Sequence, residues 1–88
     1  MISKDYVVSA AEGIHARPAA SLVKMTKNYK SVFFLKKGER QVALNSMLNI
    51  LSLGAKGGET VTLLVEGEDE AEAAMAVDRF FIHELKLL

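Results

Sequence analysis

His15 stands in Gly13-Ile14-His15-Ala16-Arg17-Pro18-Ala19-Ala20, immediately before a stretch of helical periodicity, and Arg17 follows two residues later. A helix N-terminus offers free backbone N–H groups and the positive end of the helix dipole, so an anion is favoured there. Arg17 adds a permanent cation whose planar fork suits phosphate oxygens. A neutral imidazole is a competent nucleophile near physiological pH, and positive surroundings disfavour imidazolium and keep His15 ready to attack. This is a place where a phosphoryl group could rest covalently on a ring nitrogen. Its charge would be held by Arg17 and by first-turn N–H groups such as that of Ala16. A histidine beside a helix start is also an ordinary surface or capping residue, and position alone leaves both readings open.

Other chemistries find less support. His83 is the only other histidine, 67 intervening residues away, and there is no cysteine, so no metal site is expected. Gly54-Ala55-Lys56-Gly57-Gly58-Glu59-Thr60 faintly resembles a phosphate loop but lacks the Gly-x-x-x-x-Gly-Lys-Ser/Thr order and precedes a strand. Eleven basic residues balance eleven acidic ones, which argues against a nucleic-acid partner. No apolar run approaches the ~18 residues of a membrane span, and the start does not read as a signal peptide. A cytoplasmic setting without membrane insertion is expected.

Eighty-eight residues suffice for one compact domain, expected over 1–88. Ile2 to Ser9 reads as a strand with Tyr6 and Val8 on one side. Ala16 to Tyr29 reads as an amphipathic helix with Pro18 in its first turn, where a missing N–H costs nothing. Val32 to Lys36 and Arg40 to Leu44 form a hairpin around Lys37-Gly38. Ser46 to Leu53 is a short helix capped by Asn45 or Ser46, with Gly54 past its end. Thr60 to Glu66 alternates as another strand. Asp69 and Glu72 make a capping-box-like start for a long final helix. That helix should place Ala71, Ala74, Met75, Asp78, Phe81, Ile82 and Leu85 near one face, with Asp78 the misfit. The order β-α-β-β-α-β-α predicts an α+β fold, a four-stranded antiparallel sheet with three helices on one side.

The segment Gly13 to Ala19 resembles the active-site signature of HPr, the histidine phosphocarrier family of the bacterial phosphoenolpyruvate-dependent sugar phosphotransferase system. Asn45-Ser46-Met47-Leu48-Asn49-Ile50-Leu51-Ser52-Leu53-Gly54 resembles the family's second signature, and length and element order agree. The resemblance implies the family's open-faced β-sandwich. It implies that His15 receives a phosphoryl group on Nδ1 from phosphoenzyme I, assisted by Arg17, and passes it to enzyme IIA domains. That is carriage of a labile N–P bond rather than turnover of a free substrate. It implies no cofactor and a monomer.

Ser46 is most simply a helix cap, and a phosphate there would also be favoured by the helix N-terminus. The resemblance extends this to phosphorylation by HPr kinase/phosphorylase and binding to a catabolite regulator. The helix it opens is too apolar to pack on one side alone. Ile50 and Leu53 are expected in the core, and Met47, Leu48 and Leu51 on a docking surface, joined by Ala20 and Lys24 of the first helix. Lys24 and Lys27 add steering toward acidic partners or are simply solvated.

Two departures from the family stand out. Glu12 lies where members more often carry a small polar or amide side chain. A carboxylate there favours imidazolium and repels phosphate unless it points to solvent. The loop after Leu53 reads as one residue shorter than in common members. A regulatory, nitrogen-type paralogue and a non-catalytic regulator-binding module of the same fold are the alternatives; keeping His15 with Arg17 favours the carrier.

Overall fold

Four segments of two-residue alternation become the strands β1 (Ile2–Val7), β2 (Val32–Lys37), β3 (Arg40–Ala43) and β4 (Thr60–Glu66) in a computed structural model that describes residues 1–88. They form one antiparallel sheet in the order β1-β4-β2-β3. On its covered face, Tyr6, Phe33, Leu35, Val61, Leu63 and Val65 are buried together with Leu22, Ile50, Val77 and Phe80 from the helices. The other face is open, and there Lys36, Thr62 and Asp5 align across three strands. The Thr62 hydroxyl donates to Asp5 at 2.7 Å.

The helices are α1 (Ala16–Thr26), α2 (Met47–Ser52) and α3 (Glu70–Arg79). The first ends one turn before the predicted Tyr29. The third runs on through a wide turn of π type at Phe80–Glu84 and a 3₁₀ turn at Leu85–Leu87. Its inward face differs from the expected one: Ala73, Val77, Phe80, Phe81 and Leu85 are buried, while Ala71, Met75 and Ile82 are exposed. Four alanines in the segment blur the periodic contrast, and the wide turn lets Phe80 and Phe81 both face the core. Asp78 is no misfit. It accepts from the Tyr6 hydroxyl at 2.7 Å and pairs with Lys4, which holds its carboxyl below the usual range, Lys4 contributing most. Burial, then the Asp78 hydrogen bond, pushes the Tyr6 hydroxyl up.

The expected capping box is also absent. Asp69 sits at the N-cap position of α3 but makes no cap bond from its side chain. Its carboxylate turns instead to Lys30 and Ser31, across the fold.

The site is positioned by two loops stitched together. Val8 N–H donates to Glu59 O at 2.8 Å, Gly58 N–H to Val8 O at 2.9 Å, and Ile14 N–H to Ala55 O at 2.9 Å. Gly13 has φ +75°, and a Cβ on it would lie 2.3 Å from the Ala55 carbonyl oxygen; one on Gly57 would lie 2.6 Å from that of Ala10. Only glycine admits this approach of backbones. Glu59 closes the second loop by accepting from Lys56 N–H at 2.6 Å and pairing with Lys37 at 3.1 Å. These contacts, the Lys56 N–H first, hold its carboxyl below the usual range. The glycine-rich segment Gly54–Thr60 is thus a buttress for the loop that carries His15.

Candidate functional site

His15 is the N-cap residue of α1, with extended backbone (φ −93°, ψ −168°), and its side chain makes no cap hydrogen bond. The first intrahelical bond runs from Ala19 N–H to His15 O at 3.0 Å. Pro18, third in the helix, has no N–H, so the orphan donors of the first turn come down to Ala16 and Arg17. No acidic residue lies in that turn. Ala16 and Arg17 are exposed, and Arg17 belongs to none of the chain's ion pairs. An anion at this helix end would meet two N–H groups, the helix dipole and an uncommitted guanidinium.

The imidazole is held edge-on. Its side chain is 32% exposed, yet Nε2 is sealed from solvent and has no hydrogen-bond partner of good geometry. Oε2 of Glu12 lies 3.5 Å from Nε2. The departure at Glu12 thus bears on the inner nitrogen: its side chain is 80% exposed, with one carboxylate oxygen within ion-pair distance of Nε2. Of the two ring nitrogens, only Nε2 is both sealed and unpartnered. Its type and spacing already mark Glu12 in the sequence; which ring nitrogen it faces depends on the turn at Gly13.

The second helix packs beside the first. Ser46 caps it, accepting from Asn49 N–H at 3.4 Å. Its C-terminal end is tied down by Arg40, donating to Ser52 O at 2.6 Å, and by Lys37, donating to Gly54 O at 3.0 Å. Ile50 and Leu53 are buried, whereas Met47 (37%), Leu48 (79%) and Leu51 (37%) meet solvent. Ala20, Lys24 and Lys27 are exposed on α1. The five apolar side chains divide as their helical phase predicts.

The largest cavity, about 360 Å³, is lined by Thr26, Ser31, Phe34 and Asn45 among others and holds neither His15 nor Arg17. No cluster of three or more metal-ligating side chains occurs. No helix is long and apolar enough to cross a membrane. Near the C-terminus, His83 is exposed.

Comparison with known proteins agrees with this arrangement. Residues 2–82 match the model of the PTS HPr component phosphorylation site. The HPr-like protein Crh of Halalkalibacterium halodurans is 36% identical over 91% of this chain and 95% of its own length. A solved histidine-containing phosphocarrier protein of mycoplasma superposes with a TM-score of 0.90 at 26% identity, over 97% of each chain. The crystal structure of Bacillus subtilis Crh, 33% identical over 96% of this chain and 97% of that one, gives a TM-score of 0.76 and is a swapped dimer. With the fold, the histidine at the helix start and a family model spanning nearly all of its length in agreement, the chain belongs to the HPr family of the phosphotransferase system.

Proposed function

We propose that His15 carries a phosphoryl group on Nδ1, taken from phosphoenzyme I and passed to enzyme IIA components during sugar uptake in the cytoplasm. In the accepting step the Nδ1 lone pair forms the new P–N bond while the donor's bond to phosphorus breaks, its electron pair staying on the donor. The observation that carries this reading is the sealed Nε2 of a partly exposed ring beside the N-terminus of α1. It leaves one nitrogen for chemistry, next to the N–H groups of Ala16 and Arg17. Arg17 supplies the mobile cation for the phosphate oxygens. Met47, Leu48 and Leu51, flanked by Ala20 and Lys24, form the surface on which each partner docks in turn. The carrier acts as a single-domain monomer.

Similarity to Crh supports a second, regulatory reading. Ser46 opens the docking helix, so a phosphate placed on it by HPr kinase/phosphorylase would add charge at the edge of the apolar patch. That change would suit a catabolite regulator and disfavour partners that need the uncharged surface. A nitrogen-type regulatory paralogue would use the same histidine with a different enzyme IIA.

The deciding experiment is incubation with phosphoenolpyruvate, magnesium and enzyme I, followed by intact-mass analysis at mildly alkaline pH. The carrier gains one phosphate, loses it in mild acid, and gains none as His15→Ala. Absence of any gain on the native chain overturns the reading in favour of a regulator-binding module.

A further inference from the structure

Glu12 lies three residues before His15, and the chain between them is fixed at both ends of a tight turn. Gly13 N–H donates to Ala10 O at 2.9 Å, and Ile14 N–H donates to Ala55 O at 2.9 Å. With Gly13 at φ +75°, the side chains of Glu12 and His15 come together, Oε2 3.5 Å from Nε2. That nitrogen is closed to solvent and makes no hydrogen bond. Glu12 pairs with no lysine or arginine, so nothing competes for its carboxylate. Buried polar atoms find partners, and the exposed Glu12 side chain is the ion-pair partner at this nitrogen.

A neutral imidazole carries one proton on one of its two nitrogens, and the hydrogen bond made by one decides what the other can do. We propose that Glu12 is a positioning residue that holds the proton on Nε2 of His15 and so presents Nδ1, with its lone pair free, to the incoming phosphoryl group. The inference rests on the carrier reading above. The carboxylate stands to this imidazole as the orienting aspartate stands to the histidine of a serine-protease triad.

The role continues after transfer. Once the Nδ1 lone pair is committed to phosphorus, the ring is cationic and the proton remains on Nε2, facing the carboxylate. In the donating step the P–N electron pair returns to Nδ1 and a neutral imidazole departs, already in the accepting tautomer. If Nε2 had lost its proton, the departing group would be an imidazolate, a far poorer leaving group. Glu12 therefore serves both halves of the cycle while lying on the side of the ring away from the phosphate.

Nitrogen-15 NMR of the imidazole, with the ring neutral, tests the assignment without needing transfer. In the native protein Nε2 should resonate as the protonated nitrogen and Nδ1 as the unprotonated one. Glu12→Ala should lower the tautomer ratio at least about fivefold, whereas Glu12→Gln, whose amide oxygen still accepts, should keep most of it. Transfer to an enzyme IIA should slow in the same order, Ala more than Gln. Unchanged ring shifts in a folded Glu12→Ala protein overturn the role of Glu12. If the native chain takes no phosphate from enzyme I, the carrier reading fails and the inference falls with it; the ring shifts show which of the two has failed.

Discussion

Asp69 holds Ser31 twice, accepting from its backbone N–H at 2.9 Å and from its hydroxyl at 2.5 Å through the same oxygen. Its other oxygen accepts from Lys30 N–H at 2.8 Å. The pair joins the start of α3 to the turn between α1 and β2. Gly67 leaves room for it, since a Cβ there would lie 2.6 Å from the Ser31 Cα.

These bonds keep the Asp69 carboxyl below the usual range, the Ser31 hydroxyl contributing most and the Lys30 N–H next. A lowered value in the folded state means stability that is complete above the unfolded carboxylate range, ~3.9, and lost as pH falls through the folded value. Asp69→Ala should be less stable than the native chain at neutral pH, and the difference should shrink as pH falls below the unfolded carboxylate range, ~3.9. Urea unfolding across a pH series checks this, and an equally large difference at both ends would contradict it.

Gly13→Ala forces a side chain into a left-handed conformation and against the Ala55 carbonyl. A loss of more than about 2 kcal/mol is expected, together with slower phosphoryl transfer because the His15 loop must shift. Chemical denaturation gives the first quantity and transfer kinetics the second. Native stability in the variant would show that the two loops are not locked.

The two faces of α2 should separate stability from docking. Ile50→Ala, in the core, should cost about 2–5 kcal/mol. Leu48→Ala, mostly solvent-exposed, should stay within about 0.5 kcal/mol of native stability yet weaken binding to enzyme I or an enzyme IIA in a titration. Full affinity in the Leu48 variant would remove it from the docking surface.

Arg17→Ala should leave the melting temperature unchanged, because the side chain is exposed and belongs to no ion pair. Phosphoryl transfer should fall about tenfold or more, since a charge poised for the transferring group is gone. Native rates in rapid-quench measurements would sink its role.

Ser46→Ala removes the acceptor that caps α2. The bond is long, at 3.4 Å, so about 0.5–1 kcal/mol of stability should go, while Ser46→Asp should retain the cap. Thermal unfolding of the two variants compares them directly.

Much of this is legible in the sequence. Thr60–Glu66 alternates so regularly that β4 has the predicted limits. Gly54 stops α2 where expected, and the helical phase of Ile50 and Leu53 already marked them as inward. His15, Arg17 and Pro18 declared a helix start with spare positive charge. What stayed hidden depends on contacts far apart in sequence or on local geometry. Asp69 looked like a cap because its partners lie 38 and 39 residues upstream. The inward face of α3 was obscured by alanines and then rephased by the wide turn at Phe80–Glu84. Glu12 was already marked as able to act on His15, but which ring nitrogen it faces depends on the turn at Gly13.

The contact between the backbones flanking Gly13 and Gly57 has a consequence for timing and affinity. Immobilising a loop during association costs conformational entropy, which weakens the complex. Here that cost was met when the chain folded, because the segment bearing His15 is pinned against its neighbour beforehand. A partner docking here, as proposed, would meet a loop already in place. In the proposed carrier role, complexes with successive partners can then be short-lived and still well aligned.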